Sequence, residues 1–153
     1  GKGRWAGLQA DQLHREFLTP LCSPMLFQGP KPLSSLSDLR HHVLLHDLSR
    51  TAWKNWLKHV GVVGVNVNQG PVFSHSMLVL QAAALGQGIA LGNTVLARPE
   101  IEAGRLVMPF EERVESRDAF YLVCEESQAE LGKIAAFRDW ILALVEAEQE
   151  DLL

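Results

Sequence analysis

Short apolar runs alternate along the chain with segments in which apolar residues recur at helical spacing. The runs are bounded by polar residues, Gly or Pro, which is typical of buried strands. One segment, residues 64–68, instead alternates Val with Asn or Gly, as a half-buried strand does. We therefore expect strands at 16–22, 43–46, 64–68, 88–91, 105–108 and 119–124.

Three segments carry the spacing of a helix. Residues 52–60 place apolar side chains on one face, and Gly61 is a typical C-terminal stop. Residues 76–86 are apolar nearly all round, so this helix should be the most buried. A long amphipathic helix follows Ile134. Strands and helices thus alternate, which predicts an α/β fold with a largely parallel sheet.

Polar residues before these helices are candidate caps. Ser34 or Ser35 can cap a short helical turn that ends near Arg40, and Asn93 can cap a helix that contains Pro99. Further candidate caps, before residues 52 and 77, are Asp47, Ser49, Ser74 and Ser76.

Composition indicates an ordinary globular chain. Its 153 residues are 47% hydrophobic and 21% charged, and the net charge of −4 gives no electrostatic footprint for nucleic acid. No apolar run approaches the ~20 residues of a membrane span, and no signal peptide is recognisable. Cys22 and Cys124 are too few for a disulfide framework, so we expect a cytoplasmic protein with reduced thiols.

Sequence motifs for catalysis are missing. The chain has no phosphate-binding loop, no dinucleotide fingerprint and no nucleophile elbow. His42 and His46 would stand ~13 Å apart on a strand, too far to share a metal ion, and no C-x-x-C pair exists. We therefore expect no enzymatic activity, no cofactor and no metal.

Residues 74–76, Ser-His-Ser, admit three interpretations. They could include a nucleophile and its base, but adjacent residues on a turn point in different directions. They could simply cap the following helix. If that helix terminus faces a cleft, its free N–H groups could instead bind a carboxylate or another small anion.

The run Phe73–Met77, followed by Ala82-Ala83-Ala84-Leu85-Gly86-Gln87-Gly88-Ile89-Ala90-Leu91, resembles the central signature of LysR-type effector domains. Residues 104–110 and 136–141 resemble two later landmarks of that family. Within it, three features are similar to the glycine-cleavage-system activator subgroup. They are Gly3–Leu8, Pro20–Pro24, and Leu44-Leu45-His46 followed by Trp53-x-x-Trp56-Leu57.

The resemblance implies an α/β effector domain like a type 2 periplasmic binding protein, truncated at its N-terminus. One lobe would be complete, at 20–120. The other would be present only in part, as residues 1–19 and as the return strand and C-terminal helix at 121–153. Two crossing strands would join the lobes, so Glu16–Cys22 and Phe120–Cys124 should pair as antiparallel neighbours, with the two cysteines within ~12 Å.

The resemblance also implies a function. A small effector, such as an amino acid, a purine or another small polar or anionic metabolite, would bind between the lobes of a regulatory domain. The implied ligand-binding residues are Trp5, Ser23, Phe73, Ser74 and His75.

The implied partners follow from the same family. The chain would form a homodimer or higher homo-oligomer, favoured by an apolar helix face at Ile134, Phe137 and Ile141. DNA would be bound only through an absent N-terminal helix-turn-helix, and no membrane contact is expected. A solute-binding protein of the same fold class and a small α/β enzyme remain alternatives.

Overall fold

A computed structural model of the chain describes residues 1–150, with side chains as far as residue 147. Five strands and four α-helices alternate over most of this length, and three short 3₁₀ turns connect them. The elements are β1 (Leu8–Leu21), two 3₁₀ turns (Pro24–Phe27 and Leu36–His41), β2 (Leu44–Asp47), α1 (Thr51–Val60), β3 (Val72–Phe73), α2 (Ser76–Ala84), β4 (Ile89–Asn93), α3 (Thr94–Glu102), β5 (Val114–Glu125), a third 3₁₀ turn (Glu126–Gln128) and α4 (Gly132–Glu150).

The strands form a mixed sheet in the order β3-β2-β4-β1-β5. Its β2 strand runs parallel to both β3 and β4, with Leu45 opposite Ala90. Strand β1 is antiparallel to β4, with Leu18 opposite Asn93. The α/β fold predicted from the sequence is confirmed, and its parallel part is the β3-β2-β4 portion of the sheet.

The chain divides into two compact units. The central unit is Phe17–Glu115, and the terminal unit combines Gly1–Glu16 with Ser116–Leu153. These boundaries lie three to five positions before the lobe boundaries expected from the sequence, at 19/20 and 120/121. The identification of the two units with two lobes of an effector domain stays a prediction.

The core of the central unit lies on both faces of its sheet. Side chains alternate along β2, so Leu44 joins one apolar cluster and Leu45 the other. Trp53 and Trp56 fill the Leu44 side and pack edge to face, 5.8 Å between ring centroids. Their buried indole N–H groups donate to backbone carbonyls of β2 and β1, at 2.9 and 3.1 Å. The paired tryptophans are therefore core residues of this unit.

Several local predictions are confirmed. Helix α1 ends at Gly61, which adopts the left-handed conformation with φ 75°. Asn93 caps α3, because its Oδ1 accepts from the Val95 N–H at 2.7 Å. Ser35 caps the second 3₁₀ turn, in a capping box with Asp38.

Helix α2 is the most buried of the helices within residues 1–147, with four buried residues against three in α1 and one in α3. It is not buried on all sides, however. Met77 and Leu78 are 46% and 45% exposed, and Leu85, just past its end, is 74% exposed. The apolar surface of α2 is therefore larger than the sheet can cover.

The predicted strand at 64–68 is wrong. These residues are irregular and end in a turn at Val67 and Asn68, where the Asn66 side chain accepts from the Asn68 N–H at 3.0 Å. Asn side chains compete in this way with strand pairing. The strand that follows α1 is instead β3, at Val72–Phe73.

The predicted strand at 105–108 shrinks to a single bridge between Val107 and Cys22. In contrast, β1 begins eight residues earlier than expected. The sequence does not predict this part of the strand, because residues 8–15 lack the apolar run that marks a buried strand.

The pairing predicted for the crossing strands is half right. Strands β1 and β5 are neighbours in the sheet. However, Cys22, the residue after β1, bridges to Val107, whereas Glu126, the residue after β5, donates its N–H to the carbonyl of Gly7, the residue before β1. The predicted proximity of Cys22 and Cys124 is therefore wrong, because the antiparallel register brings opposite ends of the two segments together. Both thiols are free.

Candidate ligand-binding site

The candidate site lies where three strands of the central unit end. Because β2, β3 and β4 are parallel, their carboxyl ends meet at one edge of the sheet. Asp47, Phe73 and Asn93 are the last residues of these strands, and α1, α2 and α3 begin just after them. Ligands of open α/β sheets bind at this edge.

The N-terminus of α2 supplies hydrogen-bond donors at this edge. His75 is the N-cap, in an extended conformation, and its side chain makes no capping hydrogen bond. Since the first N–H groups of a helix have no intrahelical acceptor, they can bind an anion. Ser74 and His75 are exposed here, and the Ser74 hydroxyl lies 2.9 Å from His75 Nδ1.

The prediction that Ser74 or Ser76 caps α2 is wrong. The Ser76 hydroxyl instead donates a hydrogen bond to Asp47 Oδ2, at the end of β2. Ser74 uses its hydroxyl with its neighbour His75. The Asp47 carboxylate, which is distant in the sequence, thus accepts from the hydroxyl that was a candidate cap, and the described side chains leave the helix terminus uncapped.

Two buried polar atoms at the same edge have no hydrogen-bond partner among the described residues. One is Asp47 Oδ1, an acceptor, and the other is Asn93 Nδ2, a donor. Asn93 is only 4% exposed. Because buried polar groups are nearly always hydrogen-bonded, this edge is suited to a polar ligand that offers both a donor and an acceptor.

The sequence pattern does not identify Asp47 and Asn93 as site residues. It predicts both only as helix caps, and Asn93 does cap α3. The signal that could have identified them is their position, since each is the polar residue that ends a buried parallel strand.

Leu48 has an unusual backbone beside Asp47. Its φ is 53°, the only positive φ outside glycine in the part of the chain that is described, and its side chain is 73% exposed. Such a conformation costs about 1–3 kcal/mol and is held by surrounding structure. Here the Leu48 N–H donates to the Phe73 carbonyl at 2.9 Å, which ties the end of β2 to the end of β3.

The sequence-predicted site residues fall in different places. Phe73 is half-buried against the α2 side of the core, next to Ser74 and His75. Ser23 is buried, and its hydroxyl oxygen accepts from the Met25 N–H at 3.4 Å. Trp5 belongs to the terminal unit, where it packs edge to face on Tyr121 at 5.5 Å. The ligand contacts of all five residues stay a prediction.

His46 lies just below this edge and is 1% exposed. Its Nε2 is 2.8 Å from the Gln69 carbonyl, and burial lowers the pKa of its imidazole. The Arg50 guanidinium donates to the carbonyls of Gln69 and Gly70, at 2.9 and 2.8 Å. Together these bonds hold the loop that leads into β3.

Neither a metal centre nor a membrane span is found within residues 1–150. The His, Cys, Asp and Glu side chains described there do not form a group of three that could hold a metal ion. None of the described helices combines the length and the apolar character needed to cross a bilayer.

Comparison with known proteins shows similarity to one family. The family profile described as "LysR substrate binding domain" matches residues 1–146. The glycine cleavage system transcriptional activator of Escherichia coli strain K12 is 58% identical over 150 residues, which is 98% of this chain and 49% of that protein. Its homologue in Haemophilus influenzae is 37% identical over 99% of this chain and 50% of its own length.

The similar solved structures include effector domains of a transcriptional regulator. The effector domain of the transcriptional regulator AmpR of Pseudomonas aeruginosa superimposes with a TM-score of 0.83 at 29% identity. The match covers 100% of this chain and 73% of that domain. The AmpR effector binding domain from Citrobacter freundii has the same TM-score at 24% identity, over 96% of this chain and 72% of its own. The chain spans about half the length of the curated relatives it matches.

Proposed function

Because the chain belongs to the LysR substrate-binding domain family, we propose that it is the effector-sensing part of a LysR-type transcription regulator and not an enzyme. The observation that carries the proposal is the edge formed by β2, β3 and β4. There the uncapped α2 terminus lies beside two buried polar atoms without partners, Asp47 Oδ1 and Asn93 Nδ2. A small polar ligand would satisfy these groups.

The proposed effector is a small metabolite with an anionic group, such as an amino acid or a purine derivative. Its anionic group would accept hydrogen bonds from the first N–H groups of α2 and from the side chains of Ser74 and His75. Asp47 would accept from a donor of the ligand, and Phe73 would contact its apolar part. Trp5 and Ser23 are the further contacts that the family resemblance suggests.

The mechanism proposed is a shift of population. An effector that binds one arrangement of the regulator more tightly than another stabilises that arrangement. A coupling free energy of about 1–3 kcal/mol is enough to alter how a dimer presents its DNA-binding parts. In this proposal the protein is cytoplasmic and forms a homodimer or higher homo-oligomer, and a DNA-binding region outside these 153 residues contacts the operator.

The experiment is a thermal-shift screen of amino acids and purines on the full-length protein. A ligand at 100 times its Kd stabilises the folded state by about 2.7 kcal/mol, which raises the Tm measurably. We expect the Ser74→Ala and His75→Ala variants to lose most of the shift for the effector identified. The matched control is Ser127→Ala, an exposed serine of the terminal unit.

The second arm measures DNA binding of the full-length protein, with and without the effector. The expected result is that the effector changes affinity for, or bending of, operator DNA. A protein that binds the ligand but never binds DNA would contradict the regulatory role. A ligand shift that survives in both site variants would contradict the site.

A further inference from the structure

Leu48 is the residue beside the candidate site whose identity the packing of the fold does not explain. It follows the last residue of β2, yet its side chain is 73% exposed and belongs to neither apolar cluster of the central unit. Burial in this unit therefore gives no reason for an apolar side chain here. A single exposed leucine is ordinary by itself, but the backbone of this one is not.

The backbone at Leu48 forms the centre of a tight turn. The Ser49 N–H donates to the Asp47 carbonyl, which closes a turn around Leu48 alone, and the φ of Leu48 is 53°. A three-residue turn with a positive φ at its centre is the rare and strained form of the γ-turn. Glycine adopts a positive φ without the steric cost that a Cβ brings. Leucine is therefore unfavourable at this position for the stability of the fold.

The turn places Leu48 among the groups of the candidate site. Its N–H donates to the Phe73 carbonyl at 2.9 Å, so it lies beside the end of β3. On the other side, the parallel register of β2 with β4, continued to the end of β4, brings it level with Asn93. Asp47 immediately precedes it in the chain. Leu48 is thus flanked by the acidic residue, the aromatic residue and the buried amide of the site.

The polar groups of the site are suited to a ligand that carries both charges. The first N–H groups of α2 are donors for a carboxylate, and so is the buried Asn93 Nδ2, which lacks a partner among the described residues. Asp47 Oδ1 is an acceptor for an ammonium group. An α-amino acid carries both groups on one carbon atom. Its side chain is then the part of the ligand that remains to contact Phe73 and Leu48.

We propose that Leu48 is a specificity-determining residue of the candidate site, and that it selects α-amino acids with an apolar side chain. Residues held in strained backbone conformations cluster at ligand sites, where the surrounding structure maintains them. Here the hydrogen bonds to Asp47 and Phe73 hold the turn, and the leucine side chain adds to Phe73 an apolar surface for the ligand. This assignment rests on the proposed function, to which it adds the chemical class of the effector.

The test measures binding of three L-α-amino acids to the full-length protein by isothermal titration calorimetry. L-Alanine, L-2-aminobutyrate and L-norvaline share the two charged groups, and each is one methylene longer than the one before. A fully buried methylene strengthens binding about fourfold. We expect Kd to fall by about this factor at each step in the unsubstituted protein. In Leu48→Ala and Leu48→Gly the factor should drop to about twofold or less, because part of the apolar surface is lost.

Urea denaturation of the same full-length variants, at one protein concentration, separates the side chain from the backbone. Leu48→Gly should raise the urea midpoint, because glycine relieves the strained turn. Leu48→Ala keeps a Cβ, so its midpoint should stay close to that of the unsubstituted protein. The matched control is Val63→Ala, another exposed apolar residue of the central unit, which should leave the fourfold factor unchanged.

A factor per methylene that both Leu48 variants leave unchanged would overturn the proposal, as would equal binding or no binding of the three amino acids by the unsubstituted protein. A lower urea midpoint for Leu48→Ala with unchanged selectivity would also overturn it, since the side chain would then stabilise the protein instead of contacting the ligand. A different compound that raises the Tm and depends on Ser74 and His75 would overturn this effector class alone. The proposed function would still stand in that case.

Discussion

The Asp47 carboxylate accepts a hydrogen bond from the Ser76 hydroxyl, although 29 positions separate the two residues in the sequence. The bond joins the last residue of β2 to the first residue of α2. It holds the α2 terminus at the sheet edge, where the candidate ligand site lies. The geometry of the site therefore depends on a tertiary contact between two polar side chains.

Ser76→Ala should lower the free energy of unfolding by about 1–3 kcal/mol, because it leaves a partly buried carboxylate oxygen without its donor. Urea denaturation of the variant and the unsubstituted protein measures the difference. The control is Ser74→Ala, since that hydroxyl is exposed and contacts only the neighbouring His75. Equal losses in the free energy of unfolding from the two variants would show that the Asp47–Ser76 hydrogen bond stabilises the fold no more than the exposed Ser74 contact does.

Stability should fall as pH drops below about 6.5, the ordinary pKa of histidine. Burial lowers the pKa of His46 in the folded state, so the unfolded chain binds a proton that the folded chain resists. The geometry agrees: Nε2 donates to the Gln69 carbonyl, and a proton on buried Nδ1 would find no acceptor among the described residues. The contribution of His46 to stability is fully present above the pKa that histidine has in the unfolded chain, and it is lost as the pH falls below that value.

The matched variants are His46→Gln and His59→Gln, a buried and an exposed position. Urea denaturation at pH 8 and pH 5.5 should show a smaller pH dependence for His46→Gln than for the unsubstituted protein. Burial also lowers the pKa of His42, so part of the dependence should remain. A pH dependence that His46→Gln leaves unchanged would refute the assignment.

Local signals predicted much of the fold. The stop at Gly61 and the cap at Asn93 were readable because each depends on a few adjacent residues. The sequence pattern misplaces β3. A side-chain hydrogen bond within 66–68 competes with strand pairing, and which residues form the strand depends on pairing with β2. Residues 8–15 were not recognised as strand, because their partner β5 is distant in the sequence.

The candidate site was predictable only in outline. The exposed Ser74 and His75 follow from their place before a helix. The Asp47–Ser76 bond and the unpartnered atoms of Asp47 and Asn93 do not, because they arise from the order in which three strands pair. Sheet order is a long-range property that residue periodicity does not contain.

Gly92→Ala should lower the free energy of unfolding by about 1–3 kcal/mol through overpacking. A Cβ at Gly92 would lie 2.7 Å from Leu21 Cδ1 and 2.8 Å from Leu80 Cδ2, within the buried core. Gly132→Ala is the control, because a Cβ there meets nothing within 4 Å. Urea denaturation of both variants measures the difference. An unchanged free energy of unfolding for Gly92→Ala would show that the two leucine side chains move aside freely.

Cys22 should resist alkylation until the protein unfolds. It is fully buried at the end of β1, where its backbone exchanges hydrogen bonds with Val107 at 3.1 and 2.9 Å. Burial raises the pKa of its thiol to about 12. Because the thiolate is the reactive form, its fraction at pH 8 should be roughly 10³-fold below that of an ordinary cysteine with a pKa near 8.5.

Iodoacetamide labelling followed by peptide mapping should therefore show modification of Cys22 that rises in step with the unfolded fraction in urea. Labelling in the absence of urea at the rate of a free thiol peptide would mean that this end of the strand opens readily, contrary to the packing described.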